Sequence, residues 1–433
     1  MENPLRTSSV FLPNDPLLLD QFLSPLYHVL ENYSRQSRDC PEITDADFLR
    51  LGCLRTLSQC RSGRDFLQQQ KEVFDYALPR TSFFDTLHSS RRLQMLREAS
   101  RQLCQKSPSR PGSDLLAAFP ELRHRPVLAG DGHHITHACH ALKDDKDRHV
   151  TPNSLYLVCL HSGLLLNLAP VQGAGIYRHE MPVFRRALPG FLQDEGRSMQ
   201  RPIFVVDPAF IDNDFWTQHR LIRQSGATLI TRMKDNMNSE NRQPRSFNAK
   251  DPVNTGIDGD WLVTFPAGQQ LRLIQYSDPE TGHCYQFLTT ELELRPGVIA
   301  WLYLLRWRIE KVFDTAKNKL EETKAWANGV VAQEIQGHFL ALTHNLLVLF
   351  RGFLQSDHAM EDEKLKTKRE KHLQARSLEA QKRKQKLHPL HLKMPLIVQL
   401  SLQFIRTLRN QIMKCVSLKA ALPQIRAMLT AYL

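Results

Sequence analysis

The spacing of hydrophobic positions changes twice along the chain and divides it into three regions. Up to about residue 105, apolar residues recur at intervals of three and four, as in 43–60, which is the period of an amphipathic helix. From about residue 126, short runs of Val, Ile, Leu and Phe alternate with helical stretches, which is typical of an α/β core. The helical period returns after residue 296. The pattern therefore predicts a multidomain α/β protein whose core is flanked by helical regions.

The composition of the connecting segments suggests where these regions meet. Pro, Ser and Gly cluster in 105–114, which marks a linker. We therefore expect a helical N-terminal domain at 1–118, an α/β core at 119–354, and a basic linker with a helical C-terminal region at 355–433. Within the core, the stretch 231–295 holds short apolar runs separated by Gly, Pro, Asp and Asn, and this predicts an all-β insert.

Several individual elements follow from the same patterns. The sequence predicts two strands in 153–171 with a turn at Ser162-Gly163, a long helix at 297–320 and a buried helix near 335–354. The buried helix is too short and too polar to span a bilayer. The polar residues that interrupt it are His344, Asn345 and Arg351.

The net charge of the chain indicates what kind of partner it binds. The chain of 433 residues has 57 Lys and Arg against 45 Asp and Glu, a net charge of +12 and a pI near 9.4. Such an excess favours an anionic partner, with nucleic acid ahead of a membrane surface, although it can also serve solubility alone. The charge run 361–386 fits a solvated helix or linker, and it could also follow a phosphate backbone. The eight cysteines form no C-x-x-C pair, as expected of reduced cysteines in the cytosol.

Two acidic residues follow apolar runs that read as strands. Asp131 ends the run in "RPVLAGDG" and Asp207 ends the run in "RPIFVVDPAF". One such residue is weak evidence, because Asp is common in turns and caps. If the two strands are neighbours, however, the two carboxylates converge, and converging carboxylates repel unless a cation such as Mg²⁺ lies between them.

The predicted helix 297–320 carries charges on a second, polar stripe. At 100° per residue, Arg306, Glu310 and Lys317 line up with Tyr303 beside an apolar stripe that would pack on the sheet. Glu310 would then complete a site of three carboxylates, which suits two-metal phosphodiester chemistry. The alternative is an ordinary surface helix, in which Asp314 also lies near the stripe. The apolar stripe consists of Leu305, Ile309, Val312, Phe313, Ala316 and Leu320.

The spacing of this polar stripe is distinctive. Tyr303-x2-Arg306-x3-Glu310-x6-Lys317 resembles the signature of bacterial DDE transposases of the insertion-sequence-four type. These enzymes belong to the ribonuclease-H-like transposase and integrase superfamily. The resemblance covers roughly residues 120–350, and it implies a ribonuclease-H-like mixed-sheet core that carries the β-rich insert.

The same resemblance assigns roles to the acids and their neighbours. Asp131 and Asp207 match the first and second acids of the family in order and context, although "DPAF" after Asp207 departs from the family pattern. Together with Glu310 they would hold two Mg²⁺ or Mn²⁺ ions. The enzyme would cut double-stranded DNA at terminal inverted repeats and join 3′-hydroxyls to target DNA. Tyr303, Arg306 and Lys317 would contact phosphates near the cleaved end.

The expected assembly also follows from the resemblance. Such transposases act in paired complexes, so we expect a homodimer on DNA, located at the nucleoid in the bacterial cytoplasm. The N-terminal helices carry several arginines that could read the terminal repeats through the major groove, and we favour this over an accessory domain that packs on the core or dimerises. These residues are Arg50, Arg55, Arg61, Arg64, Arg91 and Arg92.

Two further motifs have competing interpretations. The cluster "DGHHITHACH" at 131–140 could bind zinc or approach DNA, and no second group of ligands stands at metal-like spacing. Trp261 in the insert could stack on a flipped base, but packing in a core is the simpler role.

Two other functions of the same fold remain open. One is a domesticated or inactive protein that binds DNA without cutting it, and the other is a metal-dependent nuclease that cuts without joining. The three acids favour the transposase over the first. A membrane-surface protein is disfavoured, because the chain lacks a basic amphipathic helix with an aromatic apolar face.

Overall fold

A computed structural model gives the structure of the chain. The parts that it describes are residues 15–33, 43–60, 62–74, 80–106, 114, 116–135, 153–171, 179–279, 281–320, 324–327, 329–360, 363–382 and 401–430.

One mixed sheet of nine described strands forms the centre of the molecule, in the order β3-β2-β1-β4-β5-β9-β8-β7-β6. The α/β class predicted from the sequence is confirmed. The strands are β1 Val127–His134, β2 Asn153–Cys159, β3 Leu165–Val171, β4 Ile203–Val206, β5 Thr228–Arg232, β6 Glu240–Pro244, β7 Ile257–Thr264, β8 Gln270–Ser277 and β9 Cys284–Thr289.

The middle of the sheet combines both strand directions. β1 pairs antiparallel with β2 and parallel with β4, and β4 pairs parallel with β5. β2 and β3 form the predicted antiparallel pair, joined by a turn in which Gly163 has φ +76°. Only Gly adopts such a positive φ at little cost.

The predicted β insert is present, but it continues the core sheet. β9 pairs antiparallel with β5, and β8, β7 and β6 follow outwards. Without β9, β5 would present unpaired N–H and C=O groups at an edge. Pairing these groups explains why the insert adds strands to the core sheet.

Fourteen helices are described around the sheet. They are α1 Leu18–Tyr33, α2 Asp45–Ser58, α3 Gly63–Phe74, α4 Arg80–Thr86, α5 Ser90–Lys106, α6 Glu180–Glu195, α7 Asn213–Gln218, α8 Arg220–Ser225, α9 Pro296–Leu305, α10 Trp307–Asp314, α11 Val330–His358, α12 Glu363–Lys382, α13 Leu402–Met413 and α14 Leu418–Thr430.

The larger hydrophobic core surrounds α11 and joins the predicted regions. Phe48 of α2 packs edge-on against Phe339 of α11, with ring centroids 5.2 Å apart. The same cluster of buried residues extends from Leu18 in α1 to Leu429 in α14. The N-terminal helices, the sheet and the C-terminal helices therefore share one core on this face, and the domain boundaries at 118 and 354 stay a prediction.

A second core covers the opposite face of the sheet. There α6, α7 and α8 pack on β1 and β4, and Phe184, Phe204 and Trp216 lie at its centre. Residues that alternate along β1 belong to the two cores in turn, because successive side chains of a strand point to opposite faces.

The long helix predicted at 297–320 is broken, which corrects the prediction. α9 ends at Leu305 and α10 starts at Trp307, because the N–H of Arg306 bonds to the C=O of Tyr303 and the N–H of Ile309 bonds to the C=O of Arg306. These i to i+3 bonds tighten the chain locally. Beyond α10, Thr315–Lys319 forms one π-helical turn. The predicted apolar stripe is nevertheless buried throughout.

The C-terminal region is also divided. In the described part after residue 400, the predicted helical C-terminal region consists of α13 and α14, with Cys415 at φ +51° between them. α12 within the charge run is helical and mostly exposed, as predicted. None of the helices in the described ranges is long and apolar enough to cross a membrane.

Candidate active site

The first two acids are brought together by the parallel pairing of β1 and β4. Gly130 pairs with Val206, so Asp131 and Asp207 follow the same register position on adjacent strands. The expectation that both acids end strands holds for Asp207 alone. β1 continues to His134 because its outer part keeps pairing with β2.

Local hydrogen bonds fix both carboxylates at this edge. Asp131 Oδ1 accepts from the N–H of Gly132 at 2.9 Å, and Asp207 Oδ1 accepts from the N–H of Ala209 at 3.0 Å. Pro208 begins the short turn that carries Ala209, so the "DPAF" sequence makes Asp207 the cap of that turn. The unusual loop therefore holds the second acid in place.

Arg306 joins the first acid to the third. Its Nη1 donates to Asp131 Oδ2 at 3.1 Å and its Nη2 donates to Glu310 Oε1 at 2.9 Å. The Arg306 residue is only 7% exposed, whereas the side chain of Glu310 is 38% exposed. The break between α9 and α10 thus places a buried guanidinium between two carboxylates that face the sheet edge.

The environment of Asp131 disfavours its charged form. Burial raises the pKa of Asp131 to about 6, and the nearby carboxylates of Glu180 and Asp207 act in the same direction. The Gly132 N–H and Arg306 oppose this shift of the pKa. A cation at this edge would favour the ionised carboxylate.

Tyr303 lies beside the same acids. Burial raises its pKa, and Asp207 adds to the effect while Arg306 and Arg232 oppose it. Its ring packs against Phe287 of β9 with centroids 5.0 Å apart. The pairing of β9 with β5 therefore supports the side chain that the sequence placed on the polar stripe.

Lys317 lies on the π-helical turn and is partly exposed. It is near His133, because Lys317 contributes, after burial, to lowering the pKa of His133 to about 4. The His133 ring stacks on Phe313, with centroids 4.8 Å apart and an interplanar angle of 24°. The π-helical turn thus places Lys317 near His133, at the end of β1.

His133 therefore packs in the core beneath the site. This arrangement favours a structural role over zinc binding for this histidine. The other members of the cluster at 136–140 lie outside the described residues. In the described part of the chain, no three His, Cys, Asp or Glu side chains are grouped so as to hold a metal ion.

Sequence reasoning missed a group on the other face of β1. Glu180, the first residue of α6, accepts a hydrogen bond from Asn153 Nδ2 at 3.1 Å. Its Oε1 lies 1.8 Å from the place where a Cβ on Gly132 would stand. A Cβ at position 132 would therefore meet the end of the flexible Glu180 side chain, which would have to turn away, and only the Gly itself signalled this contact in the sequence.

A groove that the sequence did not indicate opens near Tyr303. It has a volume of about 420 Å³ and runs between the ends of β5, β8 and β9. Tyr285 in this groove stacks on Phe287 with an interplanar angle of 6°. The lining residues are Arg232, Met233, Asp235, Gln275, His283, Cys284, Tyr285 and Gln286.

The two arginines predicted to bind DNA in α5 both lie at Asp45. Arg91 makes two bonds to the Asp45 carboxylate, at 2.8 and 2.6 Å, and its side chain is 31% exposed. Arg92 is 3% exposed, donates to the C=O of Ile43 at 2.6 Å and lies over the Phe48 ring. This geometry favours a structural role for Arg92, and DNA contact by either residue stays a prediction.

Asp314 and Trp261 both make local structural contacts. Asp314 pairs with Lys319 and accepts from Asn318, so its interactions are within its own helix and the turn that follows. The Trp261 ring covers Gly259 and packs on the small core of the outer strands. These contacts favour Glu310 over Asp314 as the third acid, and packing over base stacking for Trp261.

Comparison with known proteins shows which family the chain belongs to. The sequence model described as "Transposase DDE domain" matches residues 122–346, more than half of the chain. This chain belongs to the DDE transposase domain family. The matched range contains Asp131, Asp207 and Glu310, and it starts just before β1 and ends within α11. The transposase domain thus coincides with the sheet and the helices that carry the acids.

Other comparisons are more distant. No curated protein matches the chain. A cryo-EM structure titled as a piggyBac transposase synaptic complex with hairpin DNA is similar with a TM-score of 0.42 and 12% identity. The match covers 92% of this chain and 84% of that chain. At this level, the likeness carries no argument about the site of this transposase.

Proposed function

We propose that this chain is a metal-dependent DNA transposase, which cleaves DNA at the ends of its element and joins the resulting 3′-hydroxyls to target DNA. The observation that carries the proposal is that Asp131 lies beside Asp207 on paired strands and is linked through Arg306 to Glu310, within a transposase DDE domain. The net charge of +12 supports DNA as the partner.

The three acids have the chemistry that Mg²⁺ or Mn²⁺ requires. Carboxylate oxygens are the preferred ligands of these hard cations, and all three side chains are partly exposed at the sheet edge. Asp131, Asp207 and Glu310 would hold two ions after a local rearrangement, because the described side chains in their present positions do not form such a group. When bound, such ions lower the pKa of an attacking water or hydroxyl and stabilise the leaving oxygen.

The neighbouring residues of this chain would handle the DNA backbone. Arg306 presents two N–H groups that match a phosphate. Tyr303 lies at the end of α9 just before it and Lys317 lies on the π-helical turn beyond α10, and each could orient a phosphate oxygen near the cleaved end. Glu180 lies against Gly132, the residue after Asp131, and accepts a hydrogen bond from Asn153 there.

The finer assignments belong to the same proposal. The insertion-sequence-four signature and the ribonuclease-H-like core rest on the spacing from Tyr303 to Lys317 and on the strand order of the sheet. A homodimer on double-stranded DNA in the bacterial cytoplasm stays an expectation from the resemblance. The same holds for recognition of terminal repeats by the N-terminal helices.

The test is excision and integration from a plasmid that carries the DNA flanking the gene. We expect activity with wild-type protein in Mg²⁺ and at least a ~10³-fold loss with Glu310→Gln, because a neutral amide binds the cation poorly. The matched control is Glu72→Gln on the exposed side of α3, which should keep full activity.

The variants also separate the transposase from its two rivals. Cleavage without strand transfer would favour the nuclease. If wild type and Glu310→Gln bind the flanking ends equally but neither cleaves, the DNA-binding protein without catalysis gains support. Equal activity in both proteins would remove Glu310 from the mechanism.

A further inference from the structure

Arg306 engages the acids through atoms that a metal ion would also use. It bonds to one oxygen of Asp131 and one oxygen of Glu310, at 3.1 and 2.9 Å. These are two of the three carboxylates proposed to hold the cations. Each oxygen that accepts an N–H of Arg306 at this distance has less of its charge and fewer of its lone pairs available for a cation.

Electrostatic repulsion also opposes the binding of a cation beside Arg306. A divalent cation held by Asp131 and Glu310 would stand within a few ångströms of the guanidinium, and both are positive. Arg306 is buried, so solvent screens this repulsion much less than at a surface. Arg306 in its observed position therefore weakens the affinity of the acids for a cation.

The hydrogen-bonding capacity of Arg306 is not fully used in its observed position. Its Nε is buried and has no hydrogen-bond partner among the described residues. Its guanidinium lies 5.8 Å from the centroid of the Tyr303 ring and beside the partly exposed Glu310. A phosphate placed there would offer two acceptor oxygens in the planar geometry that a guanidinium prefers.

We propose that Arg306 is a built-in competitor of the metal ions, which occupies Asp131 and Glu310 until a DNA phosphate draws its guanidinium away. This inference rests on the proposed function, since it takes the three acids as the metal ligands. It couples binding of a DNA end to binding of the metal, so the hydrolytic site is completed only when substrate is present.

The test measures Mn²⁺ affinity of the full chain without DNA, by electron paramagnetic resonance of unbound Mn²⁺. Arg306→Gln removes the charge but keeps an amide of similar reach, and we expect it to tighten Mn²⁺ binding at least about tenfold. Arg306→Lys keeps the charge but cannot bridge both acids, and we expect an intermediate gain. The matched control, Arg223→Gln on exposed α8, should leave the affinity within about twofold of wild type.

Further variants identify the site and distinguish the two proposals. Adding Glu310→Gln or Asp131→Asn to Arg306→Gln should abolish the gain. If Arg306→Gln binds Mn²⁺ no better than wild type, although the acid variants weaken binding, the competition is refuted and the metal site stands. If the acid variants leave Mn²⁺ binding unchanged, the metal site itself is refuted and the competition falls with it. Circular dichroism of Arg306→Lys and Arg306→Gln checks that both fold.

Discussion

Asp131 and Asp207 stand next to each other because Gly130 and Val206, the residues before them, are partners in the parallel pairing of β1 and β4. This register of the two strands determines how far apart the two acids stand along the sheet edge. A shift of one residue would turn one of them to the opposite face of the sheet. Residues that fix β1 relative to its neighbours are therefore as important for the site as the acids themselves.

Gly132 is one such residue, and its replacement gives a first prediction. Gly132→Ala places a methyl group 1.8 Å from Glu180 Oε1, so either the Glu180 carboxylate or β1 must move. Because the clashing atoms are the far end of a flexible side chain, we expect a loss of no more than about 1 kcal/mol in the free energy of unfolding, together with reduced cleavage. Urea denaturation and plasmid cleavage measure the two effects.

A double-mutant cycle tests whether contact with Glu180 causes the loss of stability in Gly132→Ala. In a Glu180→Ala background, Gly132→Ala should cost much less, because the clashing carboxylate is gone. A control at the exposed Gly190, where an added Cβ meets nothing within 4 Å, should be neutral or stabilising within α6. If the two substitutions at 132 and 180 add without coupling, contact with Glu180 does not cause the loss of stability in Gly132→Ala.

The sequence predicted which residues of this helical segment lie close together better than it predicted the path of the chain around them. Tyr303, Arg306 and Glu310 are near one another as the helical period required, because neighbouring turns of a helix are fixed locally. The break at Arg306 and the π-helical turn were missed, since these depend on tertiary contacts that a local period does not contain. The joining of the insert to β5 is likewise a long-range pairing that no short window reveals.

The charge pattern did not reveal how charges pair across the fold. Arg91 and Arg92 were predicted to contact DNA, and both also lie beside Asp45, which stands 46 residues earlier than Arg91. Glu180 and Arg232 have no motif in the sequence that ties them to the site. Pairing of charges across the fold can be derived only once the elements have been placed.

The pKa of Asp131 leads to a prediction about pH. Burial raises this pKa from 3.8 to about 6, so folding disfavours the ionised form. The raised pKa of Asp131 costs no stability below about pH 4, and the cost grows as the pH rises from about 4 to about 6 and is complete above that. We therefore expect Asp131→Asn to stabilise the protein by about 2 kcal/mol more at pH 8 than at pH 4, measured by urea denaturation in EDTA.

The matched control for this pH effect is Asp258→Asn on the exposed side of β7. Its effect on stability should be the same at both pH values to within a few tenths of a kcal/mol. An Asp131→Asn effect that does not change with pH would contradict the raised pKa.

A buried ion pair supports the start of α9 and gives a third prediction. Arg272 makes two bonds to Asp260, at 2.8 and 2.6 Å, and also donates to the C=O of Leu294 at 2.7 Å. Arg272→Met removes this ion pair. Among the described residues, the buried carboxylate of Asp260 then keeps its ion pair with Arg245, at 3.7 Å. We expect a loss of about 3–5 kcal/mol in the free energy of unfolding.

Replacing both partners distinguishes the ion pair from simple packing. Arg272→Met with Asp260→Leu should recover most of the loss, because no uncompensated charge remains in the core. The measurement is chemical denaturation of both variants. If the double variant is as unstable as the single one, the bond from Arg272 to the segment before α9 is the more important interaction.

The N-terminal arginines give the last prediction, which separates DNA contact from structural support. Arg92→Gln should lower the free energy of unfolding by about 2 kcal/mol, because it leaves the Ile43 C=O without its buried donor. At a temperature where the variant is folded, DNA affinity should stay within about twofold of wild type.

Arg91 is more exposed, and if it contacts a phosphate, Arg91→Gln should lower the slope of log Kd against log salt by about 0.9. The exposed Arg223→Gln serves as the control for loss of one charge. An unchanged slope for Arg91→Gln would place both arginines in the support of α2 and α5, and the DNA-reading surface would then have to be sought elsewhere on the basic chain.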